Sequence, residues 1–417
     1  MPIKIIILSL FLLVFKVDNA QDTTYTRQCV AQLSSEAFHG RGFVKKGDKI
    51  AANFIVNELK KWGAKPIGAS YFQNFNIDIN TITKAKVSID GKAQVLGEDY
   101  LVYAASSSLK GKYQLYQPVK FSVKSFFEKS HNKEVFVFDT IHYKSPDLIE
   151  KYESLNKTGM MGKVPAIIEV RSSRLIQTQR TYELKYPVLQ FAGDRWDSTA
   201  TEITIDVKNK FIPNYTTQNV IAYIEGEIDS FYVFTAHYDH LGRVGQDAYF
   251  PGANDNASGV ATILTLAKMW AESGKKPKYN IAFMLFSAEE AGLLGSEYYV
   301  SHPLFSLEKI KFLFNLDMVG TGVEGLSVVN GKEHAKASEL IESINAKDSL
   351  FSDVRIGKGS ANSDHYYFHD KGVPAVFLFT RGGPQFYHDI FDKNATLPLN
   401  KVQEIIRLLN LFMEDYE

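Results

Sequence analysis

The spacing of apolar positions changes character along this chain. From Lys49 to Trp62 they recur at helical intervals, at Ile50, Phe54, Leu59 and Trp62, and Gly63 ends the run, which predicts a first helix. Residues 71–77 then alternate as a half-buried strand does. Between about 84 and 208 the pattern breaks into short β-like runs at 85–89, 134–138 and 166–170, which predicts an inserted, mostly β region. From Asn219 onward, strand-like runs at 219–224, 231–236, 281–288, 311–316 and 374–380 alternate with helical stretches. One helix opens at Asn256, Ser258 and Gly259 with the stripe Val260, Ile263, Leu264 and Ala267; others are predicted over 335–345 and 399–413. Such alternation implies an α/β fold whose mixed, largely parallel sheet is covered by helices on both faces.

Four stretches follow from this reading: 1–20, 21–83 as the first part of a catalytic domain, 84–208 as the insertion, and 209–417 as the remainder of the catalytic domain. Lys4 precedes an apolar run over 5–15 that resembles a secretory signal peptide, with a cut expected after Ala20. The run is shorter than the roughly 20 apolar residues of a membrane span, so the expected location is secreted or periplasmic, with no membrane association beyond that segment. Lys plus Arg equals Asp plus Glu at 47 each, which removes any bulk electrostatic reason to expect nucleic acid as a partner. The single cysteine, Cys29, rules out an internal disulfide and reads as a small buried side chain.

The candidate chemistry gathers at strand ends. His237, Asp255, Glu290, Asp317 and His388 each lie at the end of a strand-like run or in the loop that follows one, where ligands bind in open α/β sheets. In His237-Tyr-Asp239 the two-residue spacing sends both side chains to one side of an extended chain, so Asp239 is expected to accept a hydrogen bond from the imidazole. Asp255 sits in a glycine-bounded turn entering a helix; it reads either as a cap or as a carboxylate able to bridge two cations. Glu289 and Glu290 repel one another unless a cation neutralises one and leaves the other as a base. Asp317 follows an apolar run in which an unpaired charge is costly. His388 supplies the remaining nitrogen, with His365 and His369 as competitors read as structural or supporting residues.

The segments 236–240 (AHYDH), 252–259 (GANDNASG), 287–296 (SAEEAGLLGS), 315–318 (NLDM) and Tyr387-His388 together resemble the zinc-dependent aminopeptidases with two co-catalytic metals, among them the secreted bacterial and fungal leucyl-type enzymes. Weaker similarity reaches Gly40-Arg41-Gly42 and Ala51-Ala52, and the region 84–208 is loosely similar to a protease-associated domain. The resemblance implies the di-zinc exopeptidase fold and two Zn²⁺ ions. His237 and Asp317 would hold one ion, Glu290 and His388 the other, and Asp255 would bridge them. It further implies Glu289 as general base, Asp239 as an orienting group, Tyr387 as an oxyanion donor and a cis Asp255-Asn256 peptide. The implied reaction is removal of N-terminal residues from peptides with a free N-terminus, through a hydroxide shared by the zincs. The alternatives are a zinc acyltransferase like the glutaminyl cyclases, a carboxypeptidase of the same fold that uses Arg381 to grip a terminal carboxylate, and a binding module without activity.

Overall fold

The structure, a computed structural model, describes residues 20–118, 133–141, 150, 164–171 and 174–416; the predicted leader run 5–15 lies outside them. Among the described residues no helix is long and apolar enough to cross a membrane. Four parallel strands form the centre of the sheet, in the order Ala375–Arg381, Ile310–Leu316, Ile228–His237 and Tyr279–Phe286. Antiparallel neighbours flank them: Gly325–Val329 on one side and the C-terminal part of Glu202–Ile224 on the other.

Residues along each central strand divide between two cores at period two, as strand geometry requires. Tyr232, Phe234 and Ala236 enter one core with Ile281, Phe283 and Leu285, under the helices Ala20–Leu33, Gly47–Lys61, Ser258–Ser273, Ala335–Asp348 and Val402–Asp415. Phe231 and Val233 enter the other with Ala282, Met284 and Phe286, under Leu294–Ser301 and His365–Asp370. Because both faces are covered, the strands read as continuous apolar runs rather than alternating ones. In the last helix Val402, Ile405, Ile406, Leu409 and Phe412 make one buried stripe. Cys29 is buried on the first helix of that core.

Two long strands lead out of this sheet. Phe72–Ile89 and Glu202–Ile224 pair antiparallel over nearly their whole length, with Lys84 opposite Lys208. The sheet continues from them through Leu109–Tyr116, Glu134–Asp139, Ile167–Arg171, Val188–Ala192 and Tyr100–Val102. These strands surround a second core that includes Val87, Ile205, Val137, Ile168 and Phe191 and also takes in Leu241, Val244 and Phe250, from the loop that follows His237.

Asp48, near the start of its helix, is fully buried, accepting hydrogen bonds from the hydroxyls of Tyr215 at 2.8 Å and Thr217 at 3.0 Å. Burial dominates these bonds and pushes its carboxyl up to about 6. A raised acid contributes stability that is complete below its unfolded value near 3.8 and is lost as pH rises through about 6. Asp48→Asn removes that dependence, so the unfolding free energy of the variant minus that of the wild type should rise by about 2–3 kcal/mol between pH 4 and pH 7. Denaturant melts at the two pH values check this; a difference independent of pH would refute it.

Candidate active site

Each central strand leads, at or beyond its carboxyl end, to one or two of the candidate residues. His237 is the last residue of Ile228–His237, and Asp317 immediately follows Ile310–Leu316. Glu289 and Glu290 come three and four residues after Tyr279–Phe286, and His388 lies in the loop after Ala375–Arg381. Asp255 stands just before the helix Ser258–Ser273, and its peptide bond to Asn256 is cis.

The five side chains converge. His237 Nε2 is 3.3 Å from Asp255 Oδ1 and 3.4 Å from Asp317 Oδ1. His388 Nε2 is 3.3 Å from Asp255 Oδ2 and 3.0 Å from Glu290 Oε2. The two oxygens of Asp255 therefore serve two separate sets of donors. Glu289 Oε2 lies 4.0 Å from His237 Nε2, beside the first set.

The electrostatics are those of a buried anionic cluster in need of cations. Burial penalises the charge of Glu290, but the neighbouring His388 and His240 outweigh it and hold the carboxyl down at about 2. Burial opposes a proton on His388, and Glu290 and Asp255 overcome it, lifting the imidazole to about 11. The same contest raises His237 and depresses Asp255. Glu289 goes the other way: burial, reinforced by repulsion from Glu290, Asp364 and Asp317, raises it well above a carboxylate's ordinary range.

The residues fit divalent cations. Ligand atoms of His237, Asp255 and Asp317 lie within 4.8 Å of one another, as do those of His240, Asp255 and Glu290. Asp317 Oδ1 is buried with no hydrogen-bond partner, a costly state for a carboxylate that a cation would relieve. Two imidazoles and three carboxylates are also a donor set that zinc accepts.

The supporting groups differ in part from the sequence expectation. His237 Nδ1 meets the backbone carbonyl of Asp239 at 3.1 Å, while the Asp239 carboxylate is 3.8 Å away. That carboxylate instead accepts the N–H groups of Glu289 at 3.1 Å and Glu290 at 3.4 Å, so Asp239 fixes the acidic turn more directly than the imidazole. Asp317 Oδ2 accepts from the Ser363 hydroxyl at 2.9 Å. His365 is buried and pushed down to about 4 by that burial, consistent with a structural residue; its ring packs against Phe377. Tyr387 stacks on His388 with ring centroids 3.8 Å apart and stays 42% exposed. Burial and the nearby carboxylates raise it, which keeps the hydroxyl a donor. Arg381 Nη2 is engaged by Asp353 Oδ2 at 2.6 Å, which takes that nitrogen out of the fork proposed to grip a substrate carboxylate.

Three further residues complete the site. His240 Nδ1 lies 2.7 Å from Glu290 Oε1, on the oxygen that His388 does not use. Asp392 accepts the backbone N–H groups of Asn254 and Asp255, fixing the turn that aims Asp255. Arg41 is wholly buried and donates to the carbonyls of Tyr238, Leu33, Pro251, Gly252 and Asp255 at 2.7–3.1 Å. Gly252 has φ +57°, and a Cβ there would lie 2.1 Å from Asp255 O and 2.6 Å from Arg41 Nη2, so only glycine admits this contact. The adjacency of His240 to His237 was a usable signal. Arg41 gave only the weaker similarity at Gly40-Arg41-Gly42 and no sign of its role, because its partners are carbonyls.

The chain is similar to known aminopeptidases. The chain is 28% identical to aminopeptidase YwaD of Bacillus subtilis over 412 residues, covering 94% of this chain and 82% of that protein. It is 35% identical to leucine aminopeptidase 2 of Arthroderma otae over 190 residues, but spans only 36% of that protein's length. Among solved structures, a zinc aminopeptidase from Bacillus subtilis superposes with a TM-score of 0.71 at 24% identity, over 94% of both chains. A peptidase M28 precursor from Shewanella amazonensis gives 0.68 at 18% identity, over 94% of this chain and 96% of its own. Both share the fold, a mixed and largely parallel sheet with covering helices. The family model described as Peptidase family M28 matches residues 219–413, the stretch that holds all five converging side chains, so this chain is similar to that family where its candidate site lies.

Proposed function

We propose that the protein is a zinc aminopeptidase that uses two metal ions, with His237 and Asp317 holding one, Glu290 and His388 the other, and Asp255 shared between them. The observation that carries this reading is the placement of Asp255, whose two oxygens lie 3.3 Å from His237 Nε2 and 3.3 Å from His388 Nε2 respectively. When bound, the ions supply Lewis acidity to the substrate carbonyl and lower the pKa of a water.

The protein's own groups do the rest. Glu289 accepts the water's proton and returns it to the departing amine, a role suited to a carboxylate that stands beside the His237 set without belonging to it. Asp239 holds Glu289 and Glu290 at their backbone nitrogens, so the base and the ligand keep a fixed separation. The Tyr387 hydroxyl donates to the oxygen that gains charge as the carbonyl is attacked. A free α-amino group is drawn to the acidic cluster, which favours cleavage at the N-terminus. We place the insertion at 84–208, as a protease-associated-like region, and propose export on the strength of the apolar run 5–15.

Aminoacyl anilides with a free amine should be hydrolysed. Activity should vanish with a chelator and return with zinc, and N-acetylated substrates should remain intact. Elemental analysis should give two zincs per chain. Equal cleavage of acetylated substrates would reject the aminopeptidase reading.

A further inference from the structure

The two halves of the site are supported differently. On the His237 and Asp317 side the contacts come from the α/β core: the Asp239 carbonyl on the imidazole and the Ser363 hydroxyl on the carboxylate. On the other side Glu290 is held by Asp239 and His240, but His388 and its loop are held by segment 174–180, a strap that lies within the stretch assigned to the insertion. His388 Nδ1 donates to the carbonyl of Gln177 at 2.9 Å, and the Gln177 N–H returns a bond to the His388 carbonyl at 3.2 Å. Arg174 Nη2 donates to the carbonyls of Gln385 at 2.7 Å and Tyr387 at 3.4 Å, on the same loop. Gln179 Nε2 donates to the carbonyl of His240 at 2.6 Å, and the His240 imidazole in turn bonds Glu290.

The strap is itself anchored away from the site. Gln177 Nε2 bonds the Val102 carbonyl at 3.2 Å, and the Arg180 carbonyl accepts the Asn80 N–H at 3.0 Å. The His388 loop has no regular structure between Arg381 and Asn394, and His388 itself has φ +53°. With no helix or strand to hold it, its orientation depends on partners outside the loop.

We propose that segment 174–180 is a positioning element for the Glu290–His388 half of the site, so that the seating of the insertion sets the affinity of one metal position and leaves the other alone. The inference rests on the two-metal reading above. The partner on the second nitrogen of a ligating histidine fixes its tautomer and ring direction, and its loss typically costs about 10–100-fold in metal affinity. Arg174 and Gln177 therefore act on the metal through His388 and its loop.

The test is a calorimetric zinc titration of the metal-free full-length protein, with Arg174→Ala as the main variant, because this side chain is exposed and its loss leaves the cores intact. Gln177→Ala serves as a second variant that frees the strap from Val102, and Arg195→Ala, which breaks an exposed contact to Asp99 elsewhere in the insertion, serves as control. The wild type and the control should bind two zincs. In both strap variants one of the two affinities should fall about 10–100-fold while the other stays within about twofold, and Arg174→Lys should recover part of the loss. Two unchanged affinities, or an equal fall in both, would overturn the positioning role. A wild type that binds fewer than two zincs would overturn the two-metal reading instead.

Discussion

Glu289→Gln should bind zinc as the wild type does and lose about 10²–10⁴-fold in turnover, the share that general acid–base assistance contributes. The substitution keeps the shape of the side chain and removes only its ability to take a proton. Glu289 Oε2 is 4.0 Å from His237 Nε2, whereas each proposed ligand oxygen is within 3.4 Å of an imidazole nitrogen of its own set. Its backbone nitrogen is bonded to Asp239 Oδ1, so the turn should persist in the variant. Steady-state kinetics on an aminoacyl anilide, with elemental analysis of the same sample, checks both halves. Normal turnover would remove Glu289 from the reaction, and loss of zinc would make it a ligand.

Arg41→Met should destabilise the fold by about 3–5 kcal/mol, the usual result of removing one member of a buried charged network. The side chain bonds the C-terminal residue of the helix Ala20–Leu33 to the loops that carry Tyr238, Gly252 and Asp255. Burial lowers its guanidinium to about 10, with the Asp255 charge as the first opposing influence, so it remains positive at neutral pH. Methionine fills much of the volume but leaves those carbonyls without a donor. Arg41→Lys should fall between the two, because one ammonium cannot reach the span of a planar fork. Urea unfolding of the three proteins measures the order. A loss below about 1 kcal/mol in Arg41→Met would mean that water takes over the carbonyls, and that the arginine is not the link described here.

The difference between what the sequence disclosed and what it withheld follows from the kinds of bonds involved. Apolar runs that end in His237, in Glu290 and in Asp317 announced both the strands and the polar groups they deliver, because covered parallel strands leave no alternation to blur the pattern. The two long strands were harder to read. Only their ends, 71–77, 85–89 and 219–224, stood out, since polar residues such as Thr83, Lys84 and Lys208 break the run where the ribbon faces solvent. Contacts to backbone carbonyls were invisible, because every residue has one. The duties of Arg41 and of the Gln177 carbonyl are therefore known only from the folded chain. The part played by Asp239 depended on which of its oxygens faced His237, and spacing cannot tell a carbonyl from a carboxylate.

The ladder between Phe72–Ile89 and Glu202–Ile224 works as a ruler. Sliding one strand along the other by a single residue would shift everything mounted beyond it by about 3.3 Å and turn its side chains to the opposite face. That distance exceeds the 2.9 Å that now separates the Gln177 oxygen from His388 Nδ1. The seating of the His388 imidazole is thus tied to strand alignment far from it.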